Sequence, residues 1–328
     1  MNSVKATLLL FAALTLMGPV MASAHEEPQS EPAPKREIAI TIDDLPWATL
    51  GEETPATLAV FHPRLIAAMK KADAPVTGFV NEGKLVSGGK VDTARVHLLK
   101  DWLDAGLDLG NHTYSHADLH AVGLEDYEAD ILHGEVFLRT LLAEHDQAPR
   151  WFRHPYLRAG RTADDKAALQ AFLDEHGYRI APVTVDTSDW IWAIAYRKAL
   201  ASDDQETLAR LREQYVPYML AKIDYFETQS VQLLGYNLPQ ILLMHANEIN
   251  ADSYGELVAG IRAHGYTTIT LEAAMADPAY QRADAYTGRW GPSWIHRWAI
   301  GESRPEEFFV GEPKVPAWVM EMADVKVE

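Results

Sequence analysis

Short apolar runs alternate along this chain with longer segments of helical apolar spacing. Gln240–Met244 is a continuous apolar run, which is typical of a strand buried on both faces of a parallel sheet, and Val76–Val80 predicts a short strand. Segments such as Thr57–Lys71 repeat apolar residues about every third or fourth position and predict amphipathic helices. The alternation predicts an α/β fold with a parallel sheet, and the number and length of the elements favour a distorted (β/α) barrel over an open sheet.

The barrel elements are predicted between residues 37 and 278. Strands are expected at Glu37–Ile42, Val76–Val80, Leu107–Gly110, Arg150–Arg153, Ile180–Val185, Gln240–Met244 and Thr267–Leu271. Helices are expected at Thr57–Lys71, Thr93–Ala105, Leu124–Glu144, Ala163–His176 and Tyr254–His264. Residues 191–239 predict a helical insertion, and residues 279–328 predict a Trp-rich C-terminal extension packed on the barrel.

The first residues predict an export signal. Lys5 precedes a short apolar stretch, and Ala22-Ser23-Ala24 fits a cleavage site, so residues 1–24 are interpreted as a signal peptide, with an uncleaved anchor as the alternative. Residues 25–36 are rich in proline and charge and predict a linker. A periplasmic or secreted protein with no stable membrane anchor after cleavage is therefore expected.

Net charge narrows the range of partners. The chain has 47 Asp and Glu against 29 Lys and Arg, for a formal net charge of -18. A field of this sign repels phosphate backbones, so no nucleic-acid partner is expected. The absence of cysteine from the sequence means that stability comes from packing rather than from disulfides, and the oligomeric state is not predicted.

Five polar clusters each follow a predicted strand. They lie at Thr41–Asp44, His112–His116, Arg153–Tyr156, Asp186–Trp190 and Leu242–His245. Because the carboxyl ends of barrel strands meet at one rim, where active sites form, these clusters are expected to converge.

The first two clusters predict a metal site. In Asp43-Asp44 one carboxylate can bind a metal while the other acts as a base, although an acidic pair alone is more often a turn. His112 and His116 have the spacing that brings two imidazoles to one face if the segment is helical. With Asp44 they form an Asp-His-His set that leaves zinc an open position.

The other clusters carry candidates for acid–base chemistry. Arg153 can pair with a carboxylate and hold it ionised. Asp189 and Trp190 suit an orienting carboxylate and an aromatic platform. His245 ends an apolar strand and suits a general acid, although a buried structural histidine is the plainer interpretation of that residue alone.

Together these clusters resemble the five ordered motifs of the polysaccharide deacetylases of carbohydrate esterase family four, the NodB-homology fold. The resemblance implies a distorted barrel with fewer than eight complete units and a divalent metal, commonly zinc, with cobalt or other ions as alternatives. Position by position, the resemblance implies a role for each residue of this chain that matches a motif. Asp43 would be the general base and His245 the general acid, with Arg153 and Asp189 orienting or tuning them. The metal ligands would be Asp44, His112 and His116. The Tyr156 N–H would donate to the oxyanion, and Trp190 and Leu243 would form the walls of an acetyl pocket.

The activity implied is hydrolytic deacetylation of N-acetylglucosamine units in peptidoglycan, chitin-like chains or exopolysaccharide. The alternatives are an O-acetyl esterase on a xylan-type glycan and a non-catalytic glycan-binding protein; a two-carboxylate glycoside hydrolase is weaker because it leaves the two histidines unexplained.

The sequence departs from the motifs at three places: Leu45-Pro46-Trp47, where a bulkier rim is expected, Ala246-Asn247-Glu248, and the insertion. The tryptophans of the extension either stack on sugar rings or, as we expect from the use of Trp in packing, fix the extension to the barrel. These four tryptophans are Trp290, Trp294, Trp298 and Trp318.

Overall fold

The computed structural model describes residues 35–48 and 55–328. The predicted signal peptide, residues 1–24, and most of the predicted linker, residues 25–36, lie outside the described residues. In the part that is described, no helix combines the length and the apolar character needed to cross a membrane.

Nine strands and twelve helices form in the described residues. The strands are β1 (Glu37–Leu45), β2 (Val76–Val80), β3 (Val86–Ser87), β4 (Lys90–Val91), β5 (Asp108–Asn111), β6 (Trp151–Phe152), β7 (Arg179–Ile180), β8 (Gln240–His245) and β9 (Thr267–Ile269). The helices are α1 (Pro55–Ala72), α2 (Thr93–Asp104), α3 (Leu119–Val122), α4 (Leu124–His133), α5 (Val136–Ala143), α6 (Ala163–Glu175), α7 (Asp189–Ala201), α8 (Gln205–Leu234), α9 (Glu248–Ala263), α10 (Leu271–Ala274), α11 (Trp294–Gly301) and α12 (Ala317–Ala323).

Seven of the strands form one parallel sheet. Its order is β7-β6-β5-β2-β1-β8, and β9 pairs with the start of β1. The chain that leaves β7 returns to the other end of the sheet, where the backbone N–H groups of Thr184 and Val185 both donate to the Ile241 carbonyl at 3.0 Å. The sheet therefore curls into a half-closed barrel surrounded by helices, which confirms the predicted fold class.

One predicted helix is wrong as a single element. The expected helix Leu124–Glu144 is two helices, α4 and α5, separated at Gly134 and Glu135. A Cβ on Gly134 would lie 2.5 Å from the backbone nitrogen of Tyr114, so the absence of a side chain allows the helix break to pack against the loop that carries His112 and His116.

Two other boundaries differ for local reasons. Of the predicted strand Ile180–Val185, only β7 and an isolated bridge at Val185 pair with the sheet. The predicted helix Tyr254–His264 begins six residues earlier, at Glu248, because the Asn247 side chain accepts a hydrogen bond from the Asn250 N–H at 3.0 Å and caps the helix.

The region predicted as a helical insertion contains α8 and most of α7. Its predicted stripe, formed by Leu208, Leu211, Tyr215, Met219, Ile223 and Phe226, is buried. Helix α8 packs against α7, α9 and α11, and α12 packs against α7. These helices cover one side of the barrel, and the first residue of α7, Asp189, lies at its rim.

Candidate active site

The two aspartates lie where β1 leaves the sheet. Asp43 is still in register with His245 on β8, whereas the pairing of β1 with β2 shifts between Ile42 and Leu45. Asp44 has φ 71°, a left-handed conformation that few non-glycine residues adopt. The distorted backbone conformation therefore belongs to Asp44, the second of the two adjacent aspartates.

The structure brings Asp44, His112 and His116 together. Their ligand atoms all lie within 4.8 Å of one another, with Asp44 Oδ1 3.5 Å from His116 Nε2 and 3.9 Å from His112 Nε2. The prediction assumed that residues 112–116 form a helix, and they do not. Instead His116 has φ 57°, and the two imidazoles meet across a turn. Their rings pack edge to face at 4.9 Å.

The chemistry of this cluster fits a divalent cation. Asp44 Oδ1 is buried without a hydrogen-bond partner. His112 Nδ1 lies 2.8 Å from the Arg153 carbonyl, which favours the tautomer with the proton on Nδ1 and a lone pair on Nε2. Burial lowers the pKa of both His112 and His116, so both are neutral and can act as ligands.

Lys84 is a cation of this site that sequence reasoning missed. Its Nζ lies 3.4 Å from Asp44 Oδ1 and donates to the Asp44 carbonyl at 3.0 Å. Burial opposes ionisation of Asp44, but Lys84 and the neighbouring histidines hold the pKa of that carboxyl below its usual range. Lys84 lies shortly after the end of β2, where none of the five polar clusters was predicted.

Asp43 has the environment of a base. It is 2 % exposed, and burial raises its pKa to about 6 against the opposing charges of Arg153 and His245. The Nε of Arg153 lies 3.9 Å from Asp43 Oδ1, and its guanidinium also donates to Thr41 Oγ1 at 2.7 Å. The buried arginine is therefore fixed beside the carboxylate, as the sequence predicted for its pairing.

His245 has the environment of an acid. Its Nδ1 lies 2.6 Å from Asp189 Oδ1. Burial alone would lower the pKa of His245, but the Asp189 carboxylate raises it to about 9. Between about pH 6 and pH 9, Asp43 is thus ionised while His245 is protonated, which is the separation that paired base and acid catalysis requires.

Asp189 is itself held by amide donors. Its Oδ2 accepts from the His245 N–H at 2.9 Å and from the side chains of Asn247 at 3.1 Å and Asn250 at 2.7 Å. Tyr215 of α8 donates to Asn250 Oδ1 at 2.5 Å. The departure at Ala246-Asn247-Glu248 was the available signal for Asn247, whereas no sequence signal marked Asn250 and Tyr215 as part of the site.

One cavity of about 740 Å³ is bordered by the proposed base and acid and by the three candidate metal ligands, which are Asp43, His245, Asp44, His112 and His116. Tyr156, Trp190 and Leu243 also line this cavity, and the role of Trp190 and Leu243 as walls of an acetyl pocket stays a prediction. Lys84, Arg158 and Trp290, which sequence reasoning did not place there, line it as well. Trp47 is fully buried and donates to Glu248 at 3.3 Å, so the expected bulkier rim is wrong: that ring belongs to the core.

Comparison with known proteins identifies the segment that carries the first three clusters. Residues 30–179 match the family model described as polysaccharide deacetylase. This segment is a polysaccharide deacetylase domain of the NodB-homology type. The matched residues include Asp43, Asp44, His112, His116 and Arg153, while Asp189 and His245 lie beyond them.

Two curated relatives are similar to part of this chain. A peptidoglycan-N-acetylglucosamine deacetylase of Bacillus cereus is 27% identical over 161 residues, 49% of this chain and 49% of that protein, so the match spans about half the length of that relative. A chitooligosaccharide deacetylase of Sinorhizobium fredii is 28% identical over 187 residues, 56% of this chain and 80% of that protein.

Among solved structures, a carbohydrate esterase family four pseudoenzyme from Bacillus anthracis is similar to this chain. It is 17% identical, with a TM-score of 0.46, and the match covers 71% of this chain and 63% of that chain.

Proposed function

We propose that this protein is a metal-dependent hydrolase that removes acetyl groups from N-acetylglucosamine units of a polysaccharide, such as peptidoglycan, a chitin-like chain or an exopolysaccharide. One observation carries the proposal. Asp43 and His245 are register partners on adjacent strands and lie beside the cluster of Asp44, His112 and His116. A base, an acid and a set of metal ligands thus occupy one cavity.

Asp44, His112 and His116 would hold the metal. One carboxylate and two imidazoles form a donor set that suits zinc and leaves an open coordination position, and cobalt is an alternative ion. When bound, a divalent metal would polarise a substrate carbonyl and lower the pKa of a water molecule bound to it toward neutrality.

The chain's own residues supply the proton transfers. Asp43 accepts a proton from the water whose oxygen bonds to the acetyl carbon. His245 donates its proton to the amide nitrogen as the C–N bond breaks, which releases acetate and an amine. Return of the proton from Asp43 to His245 through solvent restores both groups.

Three residues of the cavity would position the acetyl group. Trp190 and Leu243 offer apolar surface to the methyl group. The Tyr156 N–H would donate to the oxyanion, and the left-handed conformation of Tyr156, with φ 55°, is a backbone distortion of the kind found at such sites.

The experiment is acetate release from several glycans. Purified protein is stripped with a chelator, reloaded with zinc or cobalt, and given N-acetylglucosamine oligomers, peptidoglycan or acetylated xylan, and free acetate and new amines are measured. Asp43→Asn and Asp44→Asn form a matched pair: the first is expected to keep the metal and lose acetate release, and the second to lose both.

Each result decides between functions. Acetate together with new amines supports the proposal. Acetate from xylan alone favours an O-acetyl esterase, and bound glycan with no acetate from any substrate favours a non-catalytic glycan-binding protein. The proposed site of action is the periplasm or the outside of the cell, because the substrates proposed are found there.

A further inference from the structure

Trp290 is exposed at the mouth of the active-site cavity. Its side chain is 57 % exposed, while Trp294 and Trp298 of the same extension are 7 % and 3 % exposed and pack into the core. All nine tryptophans lie in the described part of the chain, and the other eight are buried or half-buried there. The Arg289 guanidinium lies over one face of the indole ring, 4.1 Å from its centroid, which leaves the other face for a ligand. A large exposed aromatic ring beside a catalytic cavity suggests a binding function.

The backbone that follows Trp290 is fixed by two contacts. Gly291 lies so close to the Tyr156 carbonyl that a Cβ on Gly291 would overlap that oxygen. The buried Arg297 donates through Nε to the Pro292 carbonyl at 3.0 Å. The position of Trp290 is therefore set by contacts with the barrel rather than by a free chain end.

The same arginine connects the extension to the loop that carries Tyr156 and Leu157. Arg297 also donates to the Leu157 carbonyl and pairs with Asp284 at 3.0 Å. Leu157 follows Tyr156, and both have positive φ values, 53° and 55°. The extension thus holds the loop that carries Tyr156, and it places Trp290 beside that loop.

Tyr156 provides a second ring at the mouth. Its side chain is 54 % exposed, and its ring packs edge to face with the His116 ring at 4.5 Å. Trp290 and Tyr156 both line the cavity of about 740 Å³, which lies in the size range of pockets that enclose ligands much larger than an acetyl group.

We infer that Trp290 is a sugar-binding residue: its indole ring stacks on a pyranose ring of the glycan, next to the unit whose acetyl group is removed. The chemical basis is the apolar C–H face that a sugar ring presents to an aromatic ring. The inference deepens the proposed function and rests on it for the identity of the ligand as an N-acetylated glycan.

The test measures binding rather than turnover. The tetramer of N-acetylglucosamine is titrated by calorimetry into the zinc-loaded full chain carrying Asp43→Asn, so that the ligand is not consumed. We expect Trp290→Ala to weaken the Kd about tenfold, because an aromatic contact contributes on the order of 1 kcal/mol, and Trp290→Phe to retain most of the affinity.

Trp318→Ala is the matched control. Trp318 belongs to the same extension but donates to Gln214 of α8 at 3.1 Å and does not line the cavity. We expect its Kd to equal that of the Asp43→Asn background protein. Equal Kd values for Trp290→Ala and that background would overturn the inference. So would a loss of affinity shared by Trp290→Ala and Trp318→Ala together with a lower unfolding temperature, since that shows a structural role.

The binding result and the proposed function fail separately. If the tetramer binds through Trp290 but unsubstituted protein releases no acetate, the sugar-binding residue stands and the deacetylase activity does not. If the Asp43→Asn background has no measurable affinity for the tetramer, the inference is wrong whatever the acetate assay shows.

Discussion

The charged groups at the two ends of the barrel differ in burial and in pairing. At the amino end of the strands, a cavity of about 520 Å³ is lined by Asp108, Arg150 and Glu272. These charges are paired: Arg150 contacts Asp108 at 2.9 Å, and Arg179 contacts Glu272 at 2.6 Å. At the carboxyl end, one oxygen of Asp43 and one of Asp44 are buried without a hydrogen-bond partner.

This difference separates a structural end from a functional one. An unpaired buried polar group costs roughly 1–3 kcal/mol, so a fold that served stability alone would not keep several of them together. Arg153 adds two more such atoms, Nε and Nη1, at the same end. The cost is consistent with groups that are paired only when ligands are bound, as expected for a metal and substrate site.

Loss of a metal ligand is the largest expected effect. We predict that His112→Ala lowers metal content to near zero and acetate release by about a thousandfold or more, because two ligands remain where zinc needs three. Metal analysis and acetate release measure both. A variant that keeps its full metal content would show that His112 is not a ligand.

Loss of the Asp189 carboxylate, which contacts His245, should have the next largest effect on activity. We predict that Asp189→Asn lowers kcat about a hundredfold, within the range that general acid catalysis contributes, and leaves the metal content unchanged. The observation behind this is the 2.6 Å contact between Asp189 Oδ1 and His245 Nδ1. Retention of kcat would contradict the role of the pair.

The same pair predicts a pH dependence of stability in the metal-free protein. The folded-state pKa of His245 is raised to about 9 from an unfolded value of 6.5, so its contribution is complete below pH 6.5 and lost as pH rises through about 9. The shift corresponds to about 3 kcal/mol. Denaturant unfolding from pH 6 to pH 10 should show this loss, and Asp189→Asn should abolish most of it.

A smaller effect on kcat is expected from Tyr215, which reaches Asp189 only through Asn250. Tyr215→Phe removes the hydroxyl that donates to Asn250 Oδ1 at 2.5 Å, and we predict a roughly two- to tenfold lower kcat, because one buried hydrogen bond is worth about 1 kcal/mol. Tyr236→Phe is the control, since Tyr236 bonds to Asp277 away from the cavity. Equal kcat values for the two variants would limit Tyr215 to packing.

The smallest effect belongs to the opposite end of the barrel. Arg150→Ala breaks an exposed pair with Asp108 and should cost less than about 1 kcal/mol of unfolding free energy, with acetate release unchanged. A large loss of activity in this variant would remove the distinction between the two ends.

The sequence predicted the site best where residues follow strands. Asp44, His112 and His116 stand at the ends of β1 and β5 or just beyond, so the barrel topology alone implied that they meet. Lys84, Asn250 and Tyr215 come from helices or turns, and their approach to the site depends on side-chain packing that no local pattern encodes.

The extension shows the same limit on a larger scale. Burial of Trp294 and Trp298 followed from the general use of tryptophan in cores. The exposure of Trp290 did not follow, because it depends on the contact between Gly291 and the Tyr156 carbonyl, two residues far apart in the chain. The break at Gly134 has a similar origin in a long-range backbone contact.

The central claim is that one cation binds between Asp44, His112 and His116. X-ray absorption spectroscopy of the zinc-loaded protein tests it most directly, compared with His112→Ala prepared in the same way. We predict one zinc per chain with two imidazole nitrogens and carboxylate oxygen at about 2.0–2.2 Å. A spectrum without histidine ligands, or one that is unchanged in the variant, would contradict the account.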